Sequence, residues 1–165
     1  MIPPRCMAGL AEVHHKNGQW QREMELERML VEMRMRVLGE EHPSTLISMS
    51  NLASTYESLG RWNEAEKLGV AVMETRKRVL GEEHPDTLTS MHNLASTYIH
   101  LGRWNEAEEL GAVVMETRKR VLGEEHPDTV TSISNLAFIY REQGRTAEAD
   151  ALVDQVTARE QRACR

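Results

Sequence analysis

Residues 81–122 have the sequence GEEHPDTLTSMHNLASTYIHLGRWNEAEELGAVVMETRKRVL, which repeats the sequence of residues 39–80 with 8 differences in 42 positions. The successive tryptophans Trp20, Trp62 and Trp104 are separated by the same 42 residues. A fixed period of this length is typical of a repeat architecture, in which each unit buries its apolar face on its neighbours. The repeat therefore decides the fold.

The period divides the 165 residues into a single predicted array of four units. The two nearly identical repeats are followed by a more divergent copy that opens with the same Gly-Glu-Glu-His-Pro sequence. Before them, Gly18-Gln19-Trp20 falls in register with Gly60-Arg61-Trp62 and marks a degenerate first hairpin. The predicted boundaries of the units are 1–38, 39–80, 81–122 and 123–165.

Each full unit is predicted to form two helices, because apolar residues recur at spacings of three and four on both sides of a glycine. Pro43 suits the first position of a helix, and Gly60 follows the last apolar residue of that helix, as a left-handed terminating residue does. The sequence therefore predicts an all-α fold. The two apolar stripes of residues 39–80 are Leu46, Met49, Leu52, Ala53, Tyr56 and Leu59, then Ala65, Leu68, Val72, Met73, Val79 and Leu80.

The charge balance argues against two classes of partner. With 20 basic and 26 acidic residues, the net charge of -6 leaves no excess positive field to attract nucleic acid or anionic lipid. The basic runs at residues 76–78 and 118–120 are interpreted as solvated helix ends that complement the helix dipole. We therefore expect neither a nucleic acid nor a membrane as a partner.

Cysteine usage and hydropathy predict a cytoplasmic protein. Cys6 and Cys164 are not the dense, even set of cysteines that staples small secreted domains, so a reducing environment is expected. The first residues contain no apolar run typical of a signal sequence, and no stretch of about 18 consecutive apolar residues occurs. A soluble protein is the prediction.

Two segments carry a resemblance to a known family. The sequence NLASTY at residues 93–98, followed by GRWNEAE at residues 102–108, resembles the tetratricopeptide repeat signature. The linker LGEEHPDT at residues 80–87 resembles the kinesin-light-chain type, which is also common in fungal arrays of NLR/NB-ARC-like proteins. The resemblance implies a right-handed solenoid of antiparallel helical hairpins, with a concave wall made mainly of first helices.

The turn between the two helices distinguishes this repeat from other repeats of similar length. HEAT and armadillo repeats have similar periods, but the glycine-aromatic turn argues against them. Gly69 and Gly111 stand where the family usually has a large apolar residue, and Thr146 replaces the turn tryptophan. These departures predict either tight helix packing or a locally looser core.

The resemblance also implies a binding face on the first helix of each hairpin. Four of the 8 differences between the two similar repeats lie on this face, for example Ser50 against His92. An asparagine recurs on it once per full repeat, where it either contacts a bound peptide or bonds a neighbouring helix end. The predicted peptide-binding residues are Ser50, Asn51, Ser54, Glu57, His92, Asn93, Ser96, His100, Asn135, Phe138 and Arg141.

No catalytic residue, metal site or cofactor is predicted. His42, His84 and His126 occur once per linker, and repeats that stand about 10 Å apart cannot share one ion. Adjacent linker glutamates such as those at 82–83 do not hold an acid/base pair at a defined separation. Phosphate-binding, zinc-protease and serine-hydrolase motifs are missing from the sequence.

The predicted function is a non-catalytic scaffold that binds a protein or an extended peptide in the groove of stacked hairpins. One alternative is that the groove binds a small molecule or hosts an enzyme, since fold does not fix function. A second is that the chain is the sensor fragment of a larger fungal NLR-like receptor. Four methionines in the first hairpin also predict weak self-association through it: Met24, Met29, Met33 and Met35.

Overall fold

A computed structural model describes residues 4–17 and 19–163, with the side chains of 4, 5, 16 and 155–163 left out. Predictions that involve Gly18 and Cys164 lie outside the described residues. No strand occurs in the described part of the chain, so the all-α prediction is confirmed. The helices are α1 (Pro4–Lys16), α2 (Trp20–Leu38), α3 (Pro43–Ser58), α4 (Trp62–Leu80), α5 (Pro85–His100), α6 (Trp104–Leu122), α7 (Pro127–Glu142) and α8 (Thr146–Ala163).

The helices are grouped in two compact units, Met1–Glu82 and Glu83–Arg165. The first unit holds the hairpins α1–α2 and α3–α4, and the second holds α5–α6 and α7–α8. Within each unit every helix packs on the next one along the chain. The division falls two residues after the predicted boundary between the second and third repeats. The single array across all four hairpins stays a prediction.

The linker histidines form the N-caps of the first helices. Pro43, Pro85 and Pro127 occupy the first position of α3, α5 and α7, as the sequence predicted for Pro43. In the linker before α3, the Nδ1 atom of His42 accepts a hydrogen bond from the backbone N–H of Ser44 at 3.1 Å. His84 and His126 form the same bond at 3.1 and 3.2 Å. These histidines therefore satisfy helix-end donors that would otherwise lack a partner.

The helices α3, α5 and α7 are followed, as predicted, by glycines with positive φ. At the end of α3, Gly60 has φ 70°, and the N–H of Arg61 donates to the carbonyl of Tyr56 at 2.8 Å. Together with the bond from the N–H of Gly60 to the carbonyl of Glu57, at 2.9 Å, this geometry is a Schellman motif. The guanidinium of Arg61 also lies 4.7 Å from the ring centre of Tyr56. The turns after α5 and α7 repeat this arrangement.

Each unit has its own apolar core. Met73 is only partly buried, and the predicted stripe of α4 is wrong at its end, because Val79 and Leu80 are exposed. The buried face of that helix ends one turn earlier, at Thr75 and Arg76. The buried cores are Met24, Val31, Leu46, Met49, Leu52 and Val72 in the first unit, and Ala107, Met115, Ile133, Leu136 and Ile139 in the second.

A recurring arginine joins consecutive hairpins inside each unit. Arg34 on α2 donates to the carbonyl of Ser44 at 2.8 Å and to Oγ of Ser48 at 2.5 Å. Arg118 on α6, two periods later, is buried and donates to Oγ of Ser132 at 2.8 Å in the same way. Part of the predicted solvated basic run is therefore structural, because the arginine holds the next helix in place.

The methionines of the first hairpin have different environments. Met24 is buried in the first core, whereas Met29 is 57% exposed. The apolar side chains of Leu10 and Val13 on α1 are also exposed. Self-association through this hairpin stays a prediction, and sedimentation velocity over a wide concentration range tests it.

Candidate functional site

Each unit contains a cavity at the same place, enclosed by the two helices of its first hairpin and the first helix of its second. The first-unit cavity lies between α1, α2 and α3 and has a volume of about 450 Å³. The second-unit cavity lies between α5, α6 and α7 and has a volume of about 100 Å³. The first is lined by Ala8, Ala11, Glu12, His15, Glu23, Glu27, Leu30, Arg34, Ile47, Asn51, Ser54 and Thr55. The second is lined by His92, Ala95, Ser96, Ile99, Gly111, Val114, Ser132, Asn135 and Ile139.

The two cavities are equivalent in register. Eight of the nine residues that line the second cavity lie 84 residues, or two periods, after a residue that lines the first. Asn51 and Asn135 form one such pair, and His15 and Ile99 form another. The sequence repeat therefore reproduces the cavity as well as the helices.

In the first unit, the structure places two of the predicted binding residues at the cavity. Asn51 and Ser54 line it from α3. Ser50 and Glu57, on the same helix, do not line it. The hydroxyl of Ser50 instead donates to the carbonyl of Leu46 at 3.0 Å, within its own helix.

In the second unit, the cavity brings together three predicted residues from two helices. His92 and Ser96 line it from α5, and Asn135 lines it from α7. The Nδ2 atom of Asn135 lies 3.3 Å from Nε2 of His92, so this asparagine contacts the preceding first helix. Burial lowers the pKa of His92, with a further contribution from the positive charge of Arg118, and a neutral imidazole can accept this amide hydrogen bond.

Four other predicted residues of the second unit lie away from the cavity lining. On α5, Asn93 and His100 are exposed. Phe138 on α7 has an exposed fraction of 47%. The guanidinium of Arg141 pairs with the carboxylate of Asp150 on α8 at 3.0 Å. The residues predicted from one helical face therefore divide into a cavity-lining group and a surface group.

Two buried glutamates in the first-unit cavity were missed by the sequence reasoning. Glu23 and Glu27 on α2 each have an exposed fraction of 5%. In the repeat register, Glu23 stands where later hairpins have Ala65 and Ala107. Glu27 stands at the position of Gly69 and Gly111. The presence of acids where other hairpins have small residues could have indicated these buried glutamates. It becomes visible when the degenerate first hairpin is aligned on the 42-residue period.

The two carboxylates have incomplete hydrogen bonding. Oε2 of Glu27 accepts a hydrogen bond from the hydroxyl of Thr55 at 2.9 Å. Oε1 of Glu23 lies 3.0 Å from Nδ1 of His15, while its Oε2 has no partner among the described side chains. Burial raises the pKa of Glu27 to about 7, and the nearby charge of Glu23 acts in the same direction. The cavity is therefore an acidic site that is poorly compensated.

Several acidic groups of the linkers have basic partners. Glu41 pairs with Arg78, and Glu83 pairs with Arg120 at 2.6 Å. Glu82 pairs with Lys77 at 2.9 Å. Among the described residues, no three histidine, cysteine, aspartate or glutamate side chains are arranged to hold a metal ion. Over that same part of the chain, no helix is long and apolar enough to cross a membrane.

Sequence comparison identifies the family of these hairpins. The profile described as tetratricopeptide repeat matches residues 4–70, 52–119 and 95–161, which together span most of the chain. The chain belongs to the tetratricopeptide repeat family. This membership confirms the resemblance drawn from residues 93–108. The repeats are therefore of the tetratricopeptide type and not HEAT or armadillo repeats. Among proteins of curated function, none matches the chain significantly.

Solved structures of tetratricopeptide proteins share the fold. A kinesin-light-chain-like protein of Podosopora anserina, with nearly identical TPR-like repeats, is 35% identical over 100% of this chain and 80% of its own, with a TM-score of 0.90. BtubC (BKLC) from P. vanneervenii is 22% identical over 99% of this chain and 66% of its own, with a TM-score of 0.84. The first comparison confirms the kinesin-light-chain-like type of the tetratricopeptide repeats, and the second shows a shared fold.

Proposed function

We propose that this tetratricopeptide chain is a non-catalytic cytoplasmic scaffold that binds an extended segment of a partner protein. The observation that carries the proposal is the recurrence of one cavity, built by equivalent residues of α1–α3 and of α5–α7. A cavity that recurs in each unit gives each unit a place for a side chain of an extended peptide. The family membership supports the same function.

The equivalent asparagines are the proposed backbone contacts. Asn51 and Asn135 line the two cavities at matching positions. A side-chain amide both donates and accepts, so it can pair with a peptide N–H or carbonyl. Asn93 has the same register on α5, where it is exposed, and belongs to the proposed face. The other members are Ser54, His92 and Ser96 at the cavities, and Ser50, Glu57, His100, Phe138 and Arg141 around them.

A small-molecule site is the second candidate, favoured by the size of the first-unit cavity. Its volume of about 450 Å³ falls within the range of about 300–1,000 Å³ that is typical of small-molecule sites. An enzymatic use of this cavity would begin with such a ligand. A further alternative is that the chain is the sensor fragment of a larger NLR-like receptor. This alternative is compatible with either a peptide or a small molecule as the ligand.

Panning a random-peptide phage library on the immobilised chain tests the scaffold proposal. Peptides that are selected would be labelled, and their affinities measured by fluorescence polarisation against the wild type and against Asn51→Ala and Asn135→Ala. Losing one peptide hydrogen bond should weaken binding by about two- to tenfold. Asn105→Ala, an exposed asparagine on α6, is the matched control and should leave the affinity unchanged.

Two outcomes would contradict the proposal. If no peptide is enriched over a blank support, the cavities do not bind extended peptides under these conditions and the scaffold proposal fails. If both Asn51→Ala and Asn135→Ala bind a selected peptide as tightly as the wild type, the peptide binds elsewhere. A small metabolite that co-purifies with the chain and is displaced by neither peptide nor salt would move the small-molecule candidate to the front.

A further inference from the structure

Two acids lie inside the first-unit cavity, and the fold of a hairpin does not require them. Glu23 and Glu27 are four residues apart on α2, so their side chains share one face of the helix. The hairpin α5–α6 forms with Ala107 and Gly111 at the equivalent positions. Burying carboxylates without full compensation destabilises a fold. The two glutamates therefore call for an explanation beyond the architecture.

The cavity offers these acids too few donors. Thr55 donates one hydrogen bond to Glu27, and His15 contacts one oxygen of Glu23. The second oxygen of Glu23, a residue that lines this cavity, is buried and has no partner in the described structure. A ligand that donates N–H groups to this oxygen would satisfy it.

The charges around the acids favour a cation. Beside Glu23 and Glu27, α1 contributes Glu12 and His15, and α2 contributes Arg34. The residues that α3 places at the cavity carry no charge. The guanidinium of Arg34 donates to α3 through its bonds to Ser44 and Ser48, which fixes its position. With three carboxylates facing one arginine and one histidine, the cavity selects for positive charge.

The second-unit cavity provides an internal comparison. At the positions of His15, Glu23 and Glu27 the second unit has Ile99, Ala107 and Gly111. The volume of its cavity is about 100 Å³, against about 450 Å³ for the first-unit cavity. None of the nine residues that line it is acidic. Of the two cavities, only the one in the first unit therefore combines acidic lining residues with the larger volume.

We propose that the first-unit cavity binds the cationic side chain of an arginine or lysine in the partner peptide, with Glu23 and Glu27 as its carboxylate acceptors. The inference rests on the proposed scaffold function. A guanidinium, with five N–H donors in a planar fork, fits two neighbouring carboxylates, and an ammonium group supplies three donors. The chain thus recognises a basic residue at one defined position of the bound segment.

The proposal predicts that binding depends on pH. A cation favours the ionised form of Glu27, whose pKa in the unoccupied cavity is raised to about 7 by burial. Affinity should therefore increase as the pH rises through 7. The other ionisable groups that line the cavity are Glu12, His15, Glu23 and Arg34.

The test uses the full chain, labelled with ¹⁵N, and N-acetyl-arginine methylamide as the probe in an NMR titration. N-acetyl-citrulline methylamide, which has the same shape and no charge, is the control ligand. With the arginine probe, we expect saturable shifts of the amides around Glu23, Glu27 and Thr55. The affinity for the citrulline control should be lower by about tenfold or more. N-acetyl-lysine methylamide, in a parallel titration, shows which of the two cations is preferred.

Substitutions on α2 locate the binding charge. Glu27→Gln and Glu23→Gln should each lower the affinity for the arginine probe by about tenfold. Glu23→Ala introduces the residue that later hairpins have there, so it provides a second variant expected to fold. Glu25→Gln removes an exposed carboxylate from the same helix and should bind the probe as the wild type does.

The proposal is overturned if the arginine and citrulline probes cause equal shifts. It is also overturned if Glu27→Gln, Glu23→Gln and Glu23→Ala all bind the arginine probe as tightly as the wild type and the Glu25→Gln control do. A selected peptide that binds the wild type and the Glu27→Gln variant equally overturns the cation site while leaving the scaffold function intact. Saturable arginine binding in a chain that enriches no peptide has the reverse meaning, since the cavity then binds a cation but the scaffold function fails.

Discussion

Replacing Glu27 by Gln should stabilise the native state at neutral and higher pH. In the native state the pKa of Glu27 is raised to about 7, from an ordinary value of 4.5, chiefly by burial. Between these two values the native chain holds a proton that the unfolded chain releases, so stability is present below pH 4.5 and is lost as the pH rises through 7. This difference in pKa corresponds to a loss of about 3 kcal/mol in the free energy of unfolding at pH values well above 7. The neutral Gln keeps an acceptor for Thr55 and removes this cost.

Urea unfolding at about pH 5 and about pH 8 measures the effect. Because the fold has two compact units, the signal should come from Trp20 and Trp62 in a Trp104→Phe background, which reports on the first unit alone. We expect Glu27→Gln to unfold at a higher urea concentration than the wild type at the upper pH, with a smaller difference at the lower pH. Glu25→Gln, which removes an exposed acid, should show no such pH dependence. An identical difference between wild type and Glu27→Gln at both pH values would refute the burial and the raised pKa of Glu27.

Three further substitutions test the packing of the second unit. Gly111→Ala should stabilise α6 by about 0.5–1 kcal/mol in chemical denaturation, because a Cβ there would make ordinary contacts at 3.5 Å with Ile139; a loss of stability would mean that the cavity is tighter than described. Gly102→Ala should cost about 1–2 kcal/mol, since the glycine has φ 71°, and an unchanged melting temperature would contradict that backbone geometry. Leu136→Ala should cost about 2–5 kcal/mol, because its side chain is 1% exposed; a cost below about 1 kcal/mol would place it outside the core.

The helices could be predicted from the sequence because their signals are local. A proline at the first position and a glycine just after the last apolar residue define each first helix, and both act through the backbone of their own segment. The 42-residue period then transfers the assignment from one repeat to the next. The N-cap role of His42 was not predicted, since histidine is not among the usual capping residues.

The division of the predicted face could not be obtained from one helix alone. The cavity of the second unit takes His92 and Ser96 from one side of α5, and Asn135 from a different side of α7. Two successive first helices therefore contribute different edges to one cavity. A helical-wheel prediction combines both edges with surface positions such as Phe138, because it does not include the neighbouring helix.

The acidic cavity was missed for a related reason. Glutamate is rarely buried, so Glu23 and Glu27 are expected on the surface of an amphipathic helix. Their burial depends on α1 and α3, which cover α2 on both sides in the folded unit. The repeat register contained the relevant signal, because both acids occupy positions that are alanine or glycine in the next two hairpins.

The central claim is that partner segments bind along the cavities, and photo-crosslinking tests it most directly. A peptide selected from the library would carry a photoreactive residue, and mass spectrometry would map its attachment sites on the chain. We predict attachment around Asn51 and Ser54 in the first unit, and around His92, Ser96 and Asn135 in the second. Attachment confined to solvent-facing positions away from the cavities, such as Glu109 and Glu116 on α6, would contradict the claim.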